Sequence, residues 1–389
     1  MSDGKPSGRS LRLGLVTETF PPEINGVART LGRWVEAFQA RGHQVQVLRP
    51  RQRGEARGAN LVYGAGLPFY KQVRLGICGP GRVGEIFRRW SPDLVHIATE
   101  GPLGLAALVA AHRQGLPVAS SFHTNFDHYA THYGFLGLEW LASTYLRWFH
   151  NRTRVTLVPS RATQGRLRAS RFERVEIWSR GVDGNLFSPA HRSEELRRSL
   201  GLQRDDPLLL YVGRLAPEKN IPTLLQAFAR LRQVLEGPLR DRLRLALVGH
   251  GPLGDSLEGS VPPGVVLAGV QTGPALSRWY ASADVFAFPS LSETFGNVVL
   301  EAQASGLPTV GFDCQGVNEQ VQPGITGFLV PVEGDLVPPL EQLCRDTGLR
   351  RTLGAAARAR AEKLDWKPIF DGLEQRYVEI IAGARTAVG

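Results

Sequence analysis

Short apolar runs recur along the chain, each separated from the next by a stretch long enough for a helix. In the first half they are Leu11–Thr17, Gln44–Leu48, Asp93–Ile97, Val118–Phe122 and Val155–Val158, with a helical pattern from Val27 to Ala40 after the first. The second half repeats the plan at Leu208–Val212, Leu243–Val248, Val265–Ala268, Val285–Phe288 and Thr309–Phe312. Strands apolar on both faces and spaced by helices belong to parallel sheets covered on both sides. Several runs end in Gly213, Gly249, Gly269 or Pro289, the punctuation of a strand feeding a loop. The expected fold is α/β, with two doubly wound parallel-sheet domains in tandem facing a cleft. Ligands of such sheets bind at the carboxyl ends of the strands. The domains are expected at residues 1–185 and 186–365, joined near Ser179–Pro189. A last helix, from about Trp366 to Ala382 within 366–389, could pack on either.

Length supports the division, since 389 residues exceed what one hydrophobic core usually serves. No run approaches the roughly 18 apolar residues of a membrane-spanning helix. Met1–Ser10 is polar, so no secretory signal is expected. Cys78, Cys314 and Cys344 are far apart, which argues against a disulfide framework or structural zinc and points to the cytoplasm. Residues 1–190 hold 25 Lys and Arg against 13 Asp and Glu, a net of +12; residues 191–389 hold 21 against 23, a net of −2. A basic half suits an anionic surface or substrate, although an arginine-rich composition can also reflect the genome.

Four segments carry candidate chemistry. Glu293-Thr294-Phe295-Gly296-Asn297-Val298-Val299-Leu300-Glu301 follows an apolar strand and opens an apolar helix. A helix N-terminus offers unpaired N–H groups and a positive dipole end, both favourable to phosphate. Gly296 permits close backbone approach. Glu293 would accept from sugar hydroxyls, and Glu301 from a pair of neighbouring hydroxyls such as those of a ribose. The competing reading makes Glu293 a helix-start acid and Glu301 a solvated helix residue, but Val298, Val299 and Leu300 make that stretch look buried. In Gly213-Arg214-Leu215-Ala216-Pro217-Glu218-Lys219-Asn220, two cations five residues apart on a loop suit a diphosphate. Asn25-Gly26, after the first strand, reads as a tight turn before a helix. That loop lacks both the Gly-x-Gly-x-x-Gly spacing and a Walker lysine, which argues against NAD and ATP. The stretch Ser121–Tyr129 brings His123, Asp127 and His128 close to His132, but no metal-ligand spacing and no Asp-x-Asp occurs anywhere in the chain. No metal is expected, and without a Gly-x-Ser-x-Gly elbow no serine hydrolase either.

Taken in order, Gly213-Arg214 with Ala216–Asn220, then Val248-Gly249-His250-Gly251-Pro252, then Glu293–Glu301, then Gly324–Val330 resemble the retaining GT-B glycosyltransferases of family 4 over nearly the whole chain. Phe122–Phe126 and Ser179–Asp183 resemble a bacterial branch that includes GDP-mannose-dependent α-mannosyltransferases and the related sulfoquinovosyl-lipid transferases. The resemblance implies two Rossmann-like domains, with a nucleotide-sugar donor held by the C-terminal domain and a lipid or glycan acceptor by the N-terminal one, and with the final helix crossing back onto the latter. It implies no cofactor and no metal. Arg214 and Lys219 would hold the diphosphate and Glu301 the ribose. Glu293 would hold the donor sugar, with Phe295, Gly296 and Asn297 contacting the donor beside it. Gly26 would approach the phosphates, His123 would lie near C6 of the sugar, and Asp183 would sit near the hinge. No side chain stands out as a nucleophile, which fits front-face retention.

The transferred group is expected to be a hexose, foremost mannose from GDP-mannose. The alternatives are a UDP-sugar donor (glucosyl, glucuronosyl or sulfoquinovosyl) and, further off, a UDP-sugar epimerase on the same fold. Nucleic acid is not expected, because the motif-bearing loops are acidic as well as basic. Arg147-Trp148-Phe149-His150 and Phe87-Arg88-Arg89-Trp90 would suit an anionic membrane surface, or else be ordinary amphipathic helix.

Overall fold

The computed structural model describes residues 9–386 apart from 24, 53, 57, 59, 68, 69, 124–138, 292 and 294. The stretch holding Asp127, His128 and His132 therefore lies outside the described residues. Internal contacts divide the chain into two units, one made of residues through Ser179 together with those from Lys367 on, the other Arg180–Trp366.

The first unit is built on eight strands: β1 (Arg12–Val16), β2 (Gln44–Pro50), β3 (Leu61–Leu67), β4 (Tyr70–Ile77), β5 (Leu94–Ile97), β6 (Val118–Ser121), β7 (Val155–Val158) and β8 (Val175–Ile177). Their spatial order is β4-β3-β2-β1-β5-β6-β7-β8. All neighbours run parallel except β3 and β4, which pair antiparallel at the edge. The central strands β5, β6 and β7 are buried at every position, which is why they read as apolar runs.

Asn25-Gly26 is not a tight turn. Asn25 is extended, and its side chain caps the helix Gly26–Ala40 by accepting from the Ala28 N–H at 2.8 Å. Ala28, Leu31, Trp34 and Phe38 form that helix's buried stripe. The final helix, Trp366–Thr386, supplies Tyr377, fully buried with its ring 5.6 Å from Phe38 and 6.3 Å from Trp34. Arg41 holds the same helix through Asp371 at 2.6 Å and Glu374 at 3.3 Å. No helix among the described residues is long and apolar enough to cross a membrane.

The second unit has six parallel strands: β9 (Leu208–Val212), β10 (Arg244–Val248), β11 (Val265–Gly269), β12 (Val285–Phe288), β13 (Thr309–Phe312) and β14 (Gly327–Val330), in the order β11-β10-β9-β12-β13-β14. The reversal of strand order falls between β9 and β12, and at such a switch point the loops after the two strands diverge and leave room for a ligand. Gly213–Asn220 and Pro289–Gly296 are those loops.

Candidate functional site

The loops after β9, β12 and β13 converge in the second unit. After β9, Lys219 closes a single 3-10 turn, Pro217–Lys219, and Asn220 adopts a left-handed conformation before the helix Ile221–Val234 begins. That geometry turns the Lys219 ammonium onto the Glu293 carboxylate, with which it forms an ion pair. Ser290 Oγ lies 3.4 Å from the same ammonium. The Glu293 N–H donates to the carbonyl of Gln315, after β13, at 3.2 Å. Gly316 is left-handed at φ 83°, and a Cβ there would lie 2.6 Å from the Glu293 carbonyl oxygen, so the third loop closes on Glu293 only with glycine at that position.

Arg214 is a third exposed, and its guanidinium stands 3.9 Å from Glu218. Its backbone carbonyl accepts from the Tyr211 hydroxyl at 2.9 Å. Burial drives the Tyr211 phenol well above its usual range, and the charges of Glu293 and Glu218 add to it, so the hydroxyl acts as a donor. Cys314 is pushed up to about 12 by burial first and then by Glu293; its thiol donates to the Ser290 carbonyl at 3.2 Å.

Gly296 takes φ 80° and starts the helix Asn297–Ala304. Phe295 before it is buried against the core, and Asn297 is the first helical residue. Glu301 is 8% exposed, so it is a buried carboxylate and not a solvated helix residue; it accepts from the Tyr280 hydroxyl at 3.0 Å. A buried carboxylate needs such hydrogen-bond partners. A cation, two carboxylates and a helix N-terminus are thus gathered along adjacent loops, a combination suited to a phosphate and the hydroxyls attached to it.

Of the residues singled out by sequence, Arg214, Lys219, Glu293, Phe295, Gly296, Asn297 and Glu301 belong to the second unit, and Gly26 and His123 to the first. Gly26 opens the helix after β1. His123 lies two residues past β6, buried, with its ring 5.8 Å from Trp178. Asp183 caps its own loop, accepting from the N–H groups of Asn185 and Leu186 at 3.1 and 3.0 Å. Sequence reading missed Tyr211, Tyr280, Ser290 and Gly316. Gly316 carried a usable signal, a glycine four residues past a buried strand. The two tyrosines carried none, because each sits inside an apolar segment and reads as core. Among the described residues no group of three or more His, Cys, Asp or Glu is disposed to hold a metal ion.

Comparison with known proteins gives a consistent set of matches. Residues 24–185 match the model described as Glycosyltransferase Family 4, and residues 206–346 the model described as Glycosyl transferases group 1. The chain is 34% identical to a GDP-mannose-dependent alpha-mannosyltransferase of Mycolicibacterium smegmatis, over 97% of this chain and 99% of that one. It is 32% identical to a sulfoquinovosyl transferase of Arabidopsis thaliana, over 94% of this chain and 73% of that one. Among solved structures, a sucrose-phosphate synthase from Thermosynechococcus elongatus superposes with a TM-score of 0.77 at 21% identity, covering 96% of this chain and all of the other, a likeness of fold.

Proposed function

Because the chain belongs to glycosyltransferase family 4 and has the GT-B fold, we propose that this glycosyltransferase moves mannose from GDP-mannose, with retention, to a hydroxyl of a lipid or glycan acceptor. The observation that carries the donor-site reading is the convergence of Lys219, Glu293 and the N-terminus of Asn297–Ala304 on adjacent loops. We assign the donor to the second unit and the acceptor to the first.

In this reading the donor divides the Lys219–Glu293 pair. The diphosphate takes Lys219 and Arg214, the hexose hydroxyls take Glu293, and the ribose hydroxyls take Glu301. Phe295, Gly296 and Asn297 line the donor, and the roles of Gly26 and His123 remain those the family resemblance implies. As the glycosidic bond to the diphosphate breaks, negative charge grows on the departing phosphate oxygen. Arg214, Lys219 and the helix N-terminus act where that charge develops, and such groups contribute about 10²–10³-fold each in comparable sites. The departing phosphate takes the acceptor's proton on the same face, so no protein nucleophile is required. Lys219 and Arg214 supply positive charge at the diphosphate, the part a divalent cation would otherwise play. In this reading the reaction proceeds without a metal.

A second reading, a sulfoquinovosyl or other UDP-sugar donor, draws on the 32% identity to the Arabidopsis protein. A donor screen separates the two: binding and turnover of GDP-mannose, UDP-glucose, UDP-galactose and UDP-glucuronate, with and without EDTA. The expected result is selective use of GDP-mannose, unaffected by EDTA. No binding or turnover of any nucleotide sugar sinks the proposal, and loss of turnover in EDTA sinks its metal-free part.

A further inference from the structure

Beneath the donor loops four aromatic rings form a continuous ladder through the second unit. Tyr211 of β9 stacks on Phe288 of β12, centroids 6.0 Å apart and planes 15° from parallel. Phe288 stacks on Phe286, two residues back on the same strand face, at 5.5 Å and 17°. Phe286 meets Tyr280, of the helix Gly273–Ser282, at 5.9 Å. All four side chains are essentially inaccessible.

The two middle rungs are phenylalanines and the two end rungs are tyrosines. Phenylalanine would fill either end position equally well, and a buried hydroxyl left without a partner is costly. Each terminal hydroxyl instead reaches a residue of the candidate donor site. Tyr280 donates to Glu301 Oε2 at 3.0 Å, with the Val298 carbonyl further off at 3.3 Å. Tyr211 donates to the Arg214 carbonyl at 2.9 Å. The first is buried, and a hydrogen bond shielded from water is the stronger for it.

We propose that Tyr280 and Tyr211 are positioning residues of the donor site, Tyr280 orienting the Glu301 carboxylate and Tyr211 the backbone that carries Arg214. The proposal rests on the reading of Glu301 as the ribose contact and Arg214 as a diphosphate contact. Tyr280 holds Oε2 of Glu301 and so fixes the plane in which the carboxylate meets the ribose. Tyr211 fixes the loop at its first cation. The two hydroxyls therefore act on different parts of one ligand, which makes their effects separable.

The test measures calorimetric affinity for GDP and 2′,3′-dideoxy-GDP, with UDP and 2′,3′-dideoxy-UDP in parallel, for the parent chain, Tyr280→Phe, Tyr211→Phe and Glu301→Ala. Losing one such hydrogen bond is worth about twofold to tenfold in affinity. Tyr280→Phe is expected to weaken the ribonucleotide by that factor, to leave the dideoxy form within twofold, and to raise the donor KM with kcat unchanged. Tyr211→Phe is expected to weaken both forms alike and keep their ratio. Equal loss on both forms in Tyr280→Phe, or no loss on either, overturns the role given to Tyr280. Unchanged affinity for both forms in Tyr211→Phe overturns the role given to Tyr211. If Glu301→Ala keeps the parent preference for the ribose form, or no diphosphate binds the parent, the underlying reading fails instead, and the proposal with it.

Discussion

Glu18 and Glu100 lie buried together in the first unit, with different partners. Glu100 faces His150, whose Nε2 is 3.0 Å from its carboxylate, while the other ring nitrogen meets Ser120 Oγ at 2.9 Å. Glu18 accepts from the backbone N–H groups of Leu103 at 3.1 Å and Gly76 at 3.4 Å. It thereby caps the helix Pro102–Arg113, whose own N-cap, Gly101, has no side chain to do so. Burial outweighs these bonds, and the charge of Glu100 adds to it, raising Glu18 from its ordinary 4.5 to about 7. A carboxyl group raised on folding stabilises the fold fully below 4.5. That contribution is lost as pH rises to about 7, because the unfolded chain gives up its proton first. The whole swing amounts to about 3 kcal/mol. Glu18→Gln, which keeps an oxygen acceptor without the charge, is expected to match the parent Tm at pH 4.5 and to exceed it increasingly up to pH 8. A Tm difference that does not grow with pH would count against this account. Glu18 was not legible in the sequence, because its partners are 58 and 85 residues away. The burial of Glu301 was legible, because its own neighbours Val298, Val299 and Leu300 announced it.

The helix Asn297–Ala304 depends on how its first turn is entered. At Gly296 the backbone is left-handed, and a Cβ would come within 3.1 Å of the Gly316 carbonyl oxygen. An L-residue in that conformation costs about 1–2 kcal/mol, and relief would shift the N–H groups at the helix start. Gly296→Ala is therefore expected to lower Tm by several degrees and weaken nucleotide-sugar binding. Gly372→Ala provides the contrast: Gly372 lies exposed within the final helix with open space around it, so alanine there is expected to stabilise by about 0.5–1 kcal/mol and leave binding unchanged. Equal effects of the two changes would show that the left-handed entry does not matter. Strands buried on both faces were readable as apolar runs, and β7, β9, β12 and β13 begin and end where the runs do. The edge pair β3 and β4 was missed. Tyr63 of β3 is 68% exposed and Ile77 of β4 51%, so these strands are not buried throughout and no fully apolar run marks them. β8, only three residues long, lacks the length for a run.

At the scale of the molecule, the residue pattern by itself left open where the last helix packs, which only the family resemblance addressed, since Tyr377 finds Trp34, Phe38 and His96 only once the first unit exists. It also left two aromatic-basic segments undivided, which the structure separates. In Phe87–Trp90, Phe87 is core and Trp90 lies under the guanidinium of Arg12, 5.3 Å away, so this is an ordinary helix face. On the helix Glu139–His150, by contrast, Trp140 is 66% exposed, Leu141 47% and Trp148 38%, and Arg152 stacks over Trp148 at 4.3 Å. Indole rings beside arginines favour the headgroup level of a bilayer. The net +12 of residues 1–190 supplies attraction to anionic lipid, which falls off within about 8 Å at physiological salt. The anionic membrane surface expected from the sequence makes a prediction specific to this helix. Cosedimentation with phosphatidylglycerol-containing vesicles is expected to rise with the anionic fraction and fall with added salt. Trp140→Ala and Trp148→Ala are each expected to weaken it while leaving nucleotide-sugar binding untouched, since neither residue is among those assigned to the donor. Charge alone predicts salt-sensitive binding that ignores the tryptophans, and the aromatic face alone predicts binding to neutral vesicles. Either result, or no binding at all, removes this partner.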